Sequence, residues 1–369
     1  MSLNKYYNNL KINKNNLFTK TFRISKIYKA YYDLYKGNRI LSSNAKNFSL
    51  YKEENIFNLY EELHNGSYVM DKYFSFYSTI KKDRIIYTPT FRDKIVQRCI
   101  YNKIKNELDI FYSNNSYACI KGRGNTNAVL KIQEYINEYK DFTFIKLDIS
   151  KYFDSINKNI LNSIIDIIFP NDYVFKSLLC NILWSKYSKY ITNKGLPLGN
   201  HLSQIFGNIY LHCLDMYIEE KYNCKYIRYM DDIILIFKDK IDYKDIILDI
   251  KMFLKNTLDL TLADNKTEVY YNPNFVSCLG FKIYKDKIHL QKFMCKKIKN
   301  AIFKNNITLL NTYIGLYSNF TDVSYYIESL IKIYNKKNLK VIESYTLNKG
   351  KIKYSKNRKK QVIDLNNTL

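Results

Sequence analysis

The stretch Tyr226-Ile-Arg-Tyr-Met-Asp-Asp-Ile-Ile-Leu-Ile-Phe237 decides the fold of this chain. Strand-forming residues lie on both sides of Met230-Asp231-Asp232, and this pattern predicts a tight β-hairpin with acidic residues at its turn. An earlier apolar stretch, Phe142 to Leu147, predicts another strand, which also ends on an acid, Asp148. Acidic residues at the ends of apolar strands need a chemical explanation, because burying an unpaired carboxylate costs free energy.

The elements around the hairpin follow one another in the order βαββαβ. Helices are predicted in four places around it, at Lys158–Ile168, near Phe175–Ser185, at Ser203–Tyr222 and at Tyr243–Leu258. This order predicts an α+β fold, with a ferredoxin-like sheet that carries helices on one face. In such a sheet the end of the first strand lies beside the hairpin turn, so Asp148, Asp231 and Asp232 are expected to converge.

The convergence of three carboxylates has two interpretations. Close carboxylates repel one another unless divalent cations neutralise them, and their oxygens suit Mg²⁺, with Mn²⁺ as the alternative. In a basic protein this favours two-metal phosphoryl transfer, with one ion activating a 3′-hydroxyl and the other holding a triphosphate. The alternative is that Asp231-Asp232 only forms the hairpin turn, where Asp is a favoured residue.

The charge and composition of the chain indicate a folded protein with a polyanionic partner. Its 369 residues carry 59 Lys and Arg against 34 Asp and Glu, a net charge of +25, which points first to nucleic acid. A hydrophobic content of 46% excludes a disordered basic tail protein. The apolar runs are far shorter than the roughly 18 residues of a membrane span, so we expect no membrane binding and a cytoplasmic location.

Seven segments, in order along residues 74 to 290, resemble the motifs of reverse transcriptases. They are Lys82-Asp-Arg84, Phe91-Arg-Asp-Lys-Ile-Val-Gln97, Ile145-Lys-Leu-Asp-Ile-Ser-Lys-Tyr-Phe-Asp-Ser-Ile156, Gly195-Leu-Pro-Leu-Gly-Asn-His-Leu-Ser-Gln204 with Asn208-Ile-Tyr-Leu211, Tyr229-Met-Asp-Asp232, Asn265-Lys-Thr-Glu268 and Cys278-Leu-Gly-Phe281. The resemblance implies a right-hand polymerase with fingers, a βαββαβ palm and a small helical thumb. It also implies RNA-directed DNA polymerase activity.

The resemblance implies catalytic roles for four positions. Asp148 and Asp231 would bind both Mg²⁺ ions, Asp232 would assist them, and the backbone carbonyl of Ile149 would complete a coordination shell. Phe153 matches an aromatic steric gate against the ribose 2′-hydroxyl, which favours dNTPs over NTPs. The alternative for Phe153 is a core residue of the following helix.

Further matching positions would contact the incoming nucleotide. Arg84 and Arg92, supported by Lys82, match residues that clamp the triphosphate, for which the planar guanidinium is suited. A solvated basic face is the alternative for Lys82. Lys266 matches a lysine that protonates the leaving pyrophosphate.

Two glycine-containing turns would contact the nucleic acid through their backbone. Gly199 would let the chain approach the nascent base pair closely, since no side chain stands in the way. Leu198 takes a place where many reverse transcriptases carry Gln, which implies lower fidelity. Leu279 and Gly280 match the primer grip.

The predicted organisation divides the chain into five parts. They are a basic N-terminal lobe over 1–70, part of the fingers over 71–141, the palm with inserted fingers helices over 142–285, a helical thumb over 286–348 and a basic tail over 349–369. Lys and Tyr side chains of the lobe and thumb are expected to line a channel for an RNA–DNA hybrid. Scattered surface charge is the alternative.

The motifs look most like those of free-standing bacterial reverse transcriptases, from diversity-generating retroelements or antiphage defence. The departures from the retroelement pattern, His201-Leu202, Asn125 and Tyr317, favour defence, with a dedicated noncoding RNA as template. A partner protein or a second copy of the chain would then assist. The alternatives are error-prone copying in a diversity-generating retroelement, an RNA polymerase of the same palm design, priming by a protein tyrosine, and an RNA-binding scaffold with a vestigial site.

Overall fold

The computed structural model describes residues 3–8, 11–12, 16–35, 42–78, 84–186, 193–304, 306–317, 320–336, 345–348 and 351–354. The chain forms two compact units. The first consists of Met1–Gly122, Leu147–Ile234 and Ile241–Thr267, and the second of Arg123–Lys146, Leu235–Lys240 and Glu268–Leu369.

The chain begins with helices, which a two-stranded antiparallel hairpin follows. These elements are α1 (Asn4–Tyr7), α2 (Leu17–Thr21), α3 (Ile24–Tyr35), α4 (Ser43–Leu50), α5 (Lys52–His64), β1 (Phe74–Ser78), β2 (Arg84–Thr88) and α6 (Phe91–Phe111). Helix α6 begins where the sequence supplies a cap, since the side chain of Thr90 accepts a hydrogen bond from the backbone N–H of Asp93.

The middle of the chain alternates strands and helices. Its elements are α7 (Asn125–Glu138), β3 (Phe142–Asp148), α8 (Tyr152–Ser155), α9 (Lys158–Ile168), α10 (Tyr173–Leu183), α11 (His201–Lys221), β4 (Lys225–Tyr229), β5 (Asp232–Lys238), α12 (Lys244–Leu258), a 3-10 turn (Asp264–Lys266) and β6 (Glu268–Tyr271). Six of the seven residues of β3 are buried, among them the apolar residues Phe142, Phe144, Ile145 and Leu147.

The carboxy-terminal part contains a small sheet, a group of helices and a hairpin. Its elements are β7 (Val276–Cys278), β8 (Phe281–Ile283), β9 (Ile288–Leu290), α13 (Lys292–Phe303), α14 (Ile307–Tyr317), α15 (Thr321–Lys336), β10 (Tyr345–Asn348) and β11 (Lys351–Tyr354). Strands β7, β8 and β9 form an antiparallel three-stranded sheet.

The four-stranded sheet has the order β4-β5-β3-β6. Numbered within the βαββαβ unit, these strands stand in the order 2-3-1-4, which is the ferredoxin-like arrangement. The predicted α+β fold is therefore confirmed. The hairpin lies where the sequence places it, with β4 and β5 joined by a two-residue turn, Met230-Asp231.

Hydrogen bonds at the far end of the sheet fix the direction of β3 against β5. The hydroxyl of Thr143, at the start of β3, donates to the carbonyl of Asp239, just after β5, at 2.8 Å. The N–H of Asp239 donates to the carbonyl of Asp141 at 3.1 Å. The beginning of β3 thus lies beside the end of β5, so the two strands are antiparallel, and Asp148 lies at the same end of the sheet as Asp232.

The predicted boundaries differ from the structure in three places. The segment predicted as a basic tail, 349–369, contains β11, which pairs with β10. Tyr345, Leu347, Ile352 and Tyr354 alternate with polar residues, a strand pattern that the high lysine content obscures. The predicted helical thumb, 286–348, includes strands β9 and β10. The predicted palm, 142–285, falls partly in each compact unit, because β3 and β5 cross the division.

Within the described parts of the chain, no helix is both long enough and apolar enough to cross a lipid bilayer.

Candidate active site

The three predicted catalytic aspartates lie at one end of the four-stranded sheet. Asp148 is the last residue of β3 and is 7% exposed, whereas Asp231 and Asp232 are intermediate in exposure. Asp231 belongs to the hairpin turn and Asp232 begins β5. All three residues belong to the first compact unit. Neighbouring antiparallel strands are about 5 Å apart, so this placement brings acid from two distant segments close together.

The carboxylate of Asp148 forms an ion pair with Lys266. Lys266 Nζ donates to Asp148 Oδ1 at 2.6 Å from the 3-10 turn that precedes β6. This turn is held against β3 by the N–H of Ala263, which donates to the carbonyl of Asp148 at 2.8 Å. Lys266 is 48% exposed, so its ammonium can leave the carboxylate at little desolvation cost. The structure thus brings together two predicted site residues from different motifs.

The donor chemistry of this sheet end suits divalent metal ions. Asp148, Asp231 and Asp232 present carboxylate oxygens, the ligand type that Mg²⁺ prefers. Ile149, whose carbonyl is the fourth predicted donor, is buried and forms a bridge with Leu262. Among the described residues, no group of three or more His, Cys, Asp or Glu side chains has metal-binding geometry. In this structure the carboxylate of Asp148 is bonded to the ammonium of Lys266.

Sequence reasoning missed a buried ion pair next to the hairpin turn, Met230-Asp231. The guanidinium of Arg228, in β4, is fully buried and donates to both carboxylate oxygens of Asp215, in α11, at 2.6 Å each. Burial alone would lower the pKa of Arg228, but the charge and hydrogen bonds of Asp215 outweigh it and raise this pKa above its ordinary value. A charged residue inside an apolar strand, two positions before the turn, was the signal that could have revealed this pair.

The hairpin turn, Met230-Asp231, has a strained backbone. Met230 has a φ of +59°, although a side chain with a Cβ atom disfavours the left-handed region. Its carbonyl accepts a hydrogen bond from Arg228 Nη1 at 3.2 Å. Residues with such backbone angles persist only where their surroundings fix them, and they are frequent at functional sites.

Phe153 lies next to the turn and keeps part of its ring exposed. A Cβ atom placed on Gly207 would lie 3.5 Å from the ring of Phe153 and 3.4 Å from the sulfur of Met230, so both side chains pack around this glycine. The ring of Tyr152 is buried instead, and its hydroxyl donates to the carbonyl of Gly207 at 2.5 Å. The fully buried residue of this segment is therefore Tyr152, whereas Phe153 is partly exposed, and its role as a sugar gate stays a prediction.

Gly199 makes a different close approach from the one predicted. It has a φ of +106°, and a Cβ atom here would lie 2.5 Å from the side chain of Ile86 and 2.6 Å from the carbonyl of Tyr87. The preceding residue, Leu198, accepts a hydrogen bond from the N–H of Tyr87 at 2.6 Å. Glycine is thus required for contact with strand β2 of the protein itself. Contact with a base pair remains a prediction.

The residues of the predicted triphosphate clamp lie in different surroundings. Arg84 begins β2 and is partly exposed, whereas Lys82 lies outside the described residues. Arg92, on α6, is already engaged: its guanidinium bonds to Glu62, to Asp93 and to the carbonyl of Val69, and it stacks on the ring of Tyr68. Burial lowers the pKa of Arg92 and Asp93 opposes this. Arg92 therefore ties α6 to the preceding helix and loop, and its contact with a triphosphate stays a prediction.

The predicted primer grip is the turn of a β-hairpin in the second unit. Leu279 and Gly280 join β7 to β8, and both have positive φ angles, +52° and +92°. Positive φ at both central residues is characteristic of a type I′ hairpin turn, and glycine adopts such an angle without strain. The side chain of Asn125 donates to the carbonyl of Leu279 at 3.4 Å.

The other two departures from the retroelement pattern are packing residues. His201 stacks on Tyr101 with 4.3 Å between ring centroids, and burial lowers its pKa to about 4, with Arg98 adding to this. Tyr317 is buried against Phe281.

Comparison with known proteins finds relatives encoded by introns. The chain is 27% identical over 256 residues to the COX1/OXI3 intron 2 protein of Saccharomyces cerevisiae, covering 52% of this chain and 29% of that protein. It is 24% identical over 362 residues to the group II intron-encoded protein LtrA of Lactococcus lactis subsp. cremoris, covering 76% of this chain and 59% of LtrA. The chain thus spans less than two thirds of the length of either relative. Neither belongs to the two groups named above, whose assignment stays a prediction.

Among solved structures, telomerase of Candida albicans in complex with a fragment of telomeric RNA matches with a TM-score of 0.48 and 12% identity, covering 76% of this chain and 56% of the telomerase. Apo telomerase of Candida tropicalis matches with a TM-score of 0.47 and 13% identity, covering 66% of this chain and 50% of the telomerase. The family model for reverse transcriptase (RNA-dependent DNA polymerase) matches residues 76–283, more than half of the chain. The chain therefore belongs to the reverse transcriptase family.

Proposed function

We propose that this protein is an RNA-templated DNA polymerase that works by two-metal nucleotidyl transfer. The observation that carries the proposal is the antiparallel placement of β3 against β5, which puts Asp148 at the same sheet end as Asp231 and Asp232. Membership of the reverse transcriptase family supports the same reaction.

In this proposal the chain's own groups hold and orient the reactants. Asp148, Asp231, Asp232 and the carbonyl of Ile149 would hold two Mg²⁺ ions, which when bound supply charge neutralisation for the triphosphate and activate the 3′-hydroxyl. Lys266 exchanges its bond to Asp148 for one to the leaving pyrophosphate, and its exposed side chain leaves it mobile enough to do so. Leu279 and Gly280 hold the primer end, and Arg84 contacts the triphosphate.

The test is synthesis on a defined primer and template. Purified protein with Mg²⁺, poly(rA)·oligo(dT) and labelled dTTP is expected to extend the primer, and rUTP is expected to be a poor substrate. Extension by rUTP in preference to dTTP would support the RNA polymerase alternative. No extension with either nucleotide, on this template or on RNA that copurifies with the protein, would contradict the proposed activity and favour the scaffold.

Replacing the proposed sugar gate should relax sugar selection. Phe153→Ala removes the ring beside the hairpin turn, and we expect the preference for dTTP over rUTP, measured as the ratio of kcat/KM, to fall by about 10- to 100-fold. Phe153→Tyr keeps the ring and should retain the preference. An unchanged ratio in Phe153→Ala would contradict the gate, even where total activity falls.

A basic pocket of the first unit supports RNA as the partner. A cavity of about 250 Å³ is lined by four lysines and no acidic residue: Lys20, Thr21, Lys26, Lys29, Cys99, Asn102 and Lys103. Its walls come from α2, α3 and α6. Four lysines in the lining of one cavity make this surface positive, and such a surface attracts a phosphate backbone. We therefore propose that the template RNA contacts the N-terminal lobe here.

Neutralising the pocket should weaken RNA binding in a salt-dependent way. Lys26→Gln with Lys29→Gln is expected to lower the affinity for single-stranded oligouridylate and to reduce the slope of log affinity against log salt by about 1 to 2. The control, Lys46→Gln with Lys72→Gln, makes the same charge change at exposed lysines outside the cavity. Equal losses in the two double variants would show that only total charge matters.

For the biological role we propose antiphage defence in the cytoplasm, with a dedicated noncoding RNA and a partner protein or second copy. The departures at His201-Leu202, Asn125 and Tyr317 support it over mutagenic retrohoming. The intron-encoded relatives favour a second candidate, in which the RNA is a group II intron. Sequencing RNA and cDNA that copurify with the protein separates the candidates: repetitive cDNA favours defence, error-rich cDNA a diversity-generating element and intron sequence the second candidate.

A further inference from the structure

Arg228 makes three hydrogen bonds in addition to its ion pair with Asp215. Besides Asp215, the guanidinium donates to Ser116 Oγ at 2.9 Å, to Asn208 Oδ1 at 3.2 Å and to the carbonyl of Met230 at 3.2 Å. Asn208 in turn donates to the carbonyl of Ala118 at 2.7 Å. One buried side chain thus joins strand β4, helix α11, the segment after α6 and the hairpin turn.

We propose that Arg228 is a positioning residue, which acts through the carbonyl of Met230 to set the place of Asp231 and Asp232. This inference rests on the proposed polymerase function. The turn needs such a support, because Met230 has a left-handed backbone that its own side chain disfavours. A fixed turn matters for catalysis, since metal ligands that are misplaced by about 1 Å lose much of their effect.

A stabilising role alone does not explain the pair. Desolvating two charges offsets most of their mutual attraction, so a buried ion pair contributes little more to stability than apolar residues of the same volume. The geometry also requires arginine in particular, since only its planar fork can hold both oxygens of Asp215 while Nη1 reaches the carbonyl of Met230. Lysine has a single nitrogen and cannot reach these acceptors together.

Tyr226 supplies a matched control. Its hydroxyl donates to the same oxygen, Asp215 Oδ1, at 2.6 Å, and it is buried on the same strand. Tyr226→Phe therefore removes one buried hydrogen bond from Asp215 but leaves every bond of Arg228 to the turn in place. If the pair only stabilises the fold, Tyr226→Phe and Arg228→Lys should affect kcat and Mn²⁺ affinity in the same way. If Arg228 positions the turn, only Arg228→Lys should lower them.

The experiment compares Arg228→Lys, Tyr226→Phe and wild type in three measurements. These are extension of poly(rA)·oligo(dT) with Mg²⁺, binding of Mn²⁺ followed by its electron paramagnetic resonance signal, and thermal unfolding. For Arg228→Lys we expect kcat and Mn²⁺ affinity each to fall by about 10- to 100-fold, with KM for dTTP within about twofold of wild type. For Tyr226→Phe we expect kcat and Mn²⁺ affinity near wild type, even if Tm falls.

Several outcomes would overturn the proposal. One is a folded Arg228→Lys with wild-type kcat and Mn²⁺ affinity, and another is a Tyr226→Phe that loses both as severely as Arg228→Lys. If Arg228→Lys does not fold, Ser116→Ala, which removes one bond from Nη2, should lower Mn²⁺ affinity and kcat without a large change in Tm; unchanged values contradict the proposal. A wild type that binds Mn²⁺ but extends no primer would contradict the proposed function, while the Mn²⁺ comparison still tests the positioning role.

Discussion

Asp231→Asn is expected to abolish primer extension, with a loss of about 10³-fold or more in kcat. The substitution keeps the size and shape of the side chain, but it replaces one carboxylate oxygen with an NH2 donor and removes one negative charge from the sheet end that Asp148 and Asp232 share. A metal-bound carboxylate accounts for several kcal/mol of transition-state stabilisation, and each 1.36 kcal/mol corresponds to about tenfold in rate. The measurement is the initial rate on poly(rA)·oligo(dT) at saturating dTTP and Mg²⁺.

Asp239→Asn is the matched control for this loss. Asp239 lies just beyond the opposite end of β5 and is exposed, and its positive φ of +61° is one that asparagine tolerates. The same chemical change at the other end of one strand should leave kcat within about twofold of wild type. A large residual rate in Asp231→Asn would contradict a catalytic role for this residue. Asp231 would then only form the hairpin turn.

Gly199→Ala is expected to destabilise the first unit and to lower its Tm by roughly 5 to 10 °C. The new Cβ atom would meet the side chain of Ile86 at 2.5 Å and the backbone carbonyl of Tyr87 at 2.6 Å, and the backbone cannot move aside cheaply. The positive φ adds strain of its own. Together these effects cost about 3 kcal/mol or more, a large fraction of the stability of an ordinary domain.

Gly66→Ala separates the effect of the strained backbone from the effect of the steric clash. Gly66 has a φ of +76° but open space around its Cβ position, so this variant has the backbone strain without the clash. We expect it to cost about 1 to 2 kcal/mol, clearly less than Gly199→Ala. Equal shifts of Tm in the two variants would mean that the contact between Gly199 and β2 has no energetic weight.

The parts of the fold that depend on local patterns could be predicted from the sequence. Apolar strands that end on acid identified the hairpin and the strand before Asp148, because alternation and turn residues act over a few positions. The convergence of Asp148 with Asp231 and Asp232 followed from the order of elements alone.

Contacts between distant segments could not be predicted in this way. The surroundings of Arg92 were not predicted, because a motif shows that an arginine is present but not that Glu62, Asp93 and Tyr68 surround it. Arg228 was missed because its partner Asp215 lies on another element and has no motif of its own. Gly199 was identified as a close approach, but only the structure shows that the approaching group is strand β2.

The bond between Leu198 and Tyr87 also bears on self-association. Strands β1 and β2 form an isolated two-stranded ribbon with large exposed side chains, among them Phe74, Phe76 and Tyr77. An open edge of such a ribbon is a template on which a strand from another molecule can add. The N–H of Tyr87 points away from β1 and donates to the carbonyl of Leu198, so it is not available to a strand from another molecule. The loop that carries Leu198 therefore blocks part of this edge against intermolecular strand pairing and aggregation.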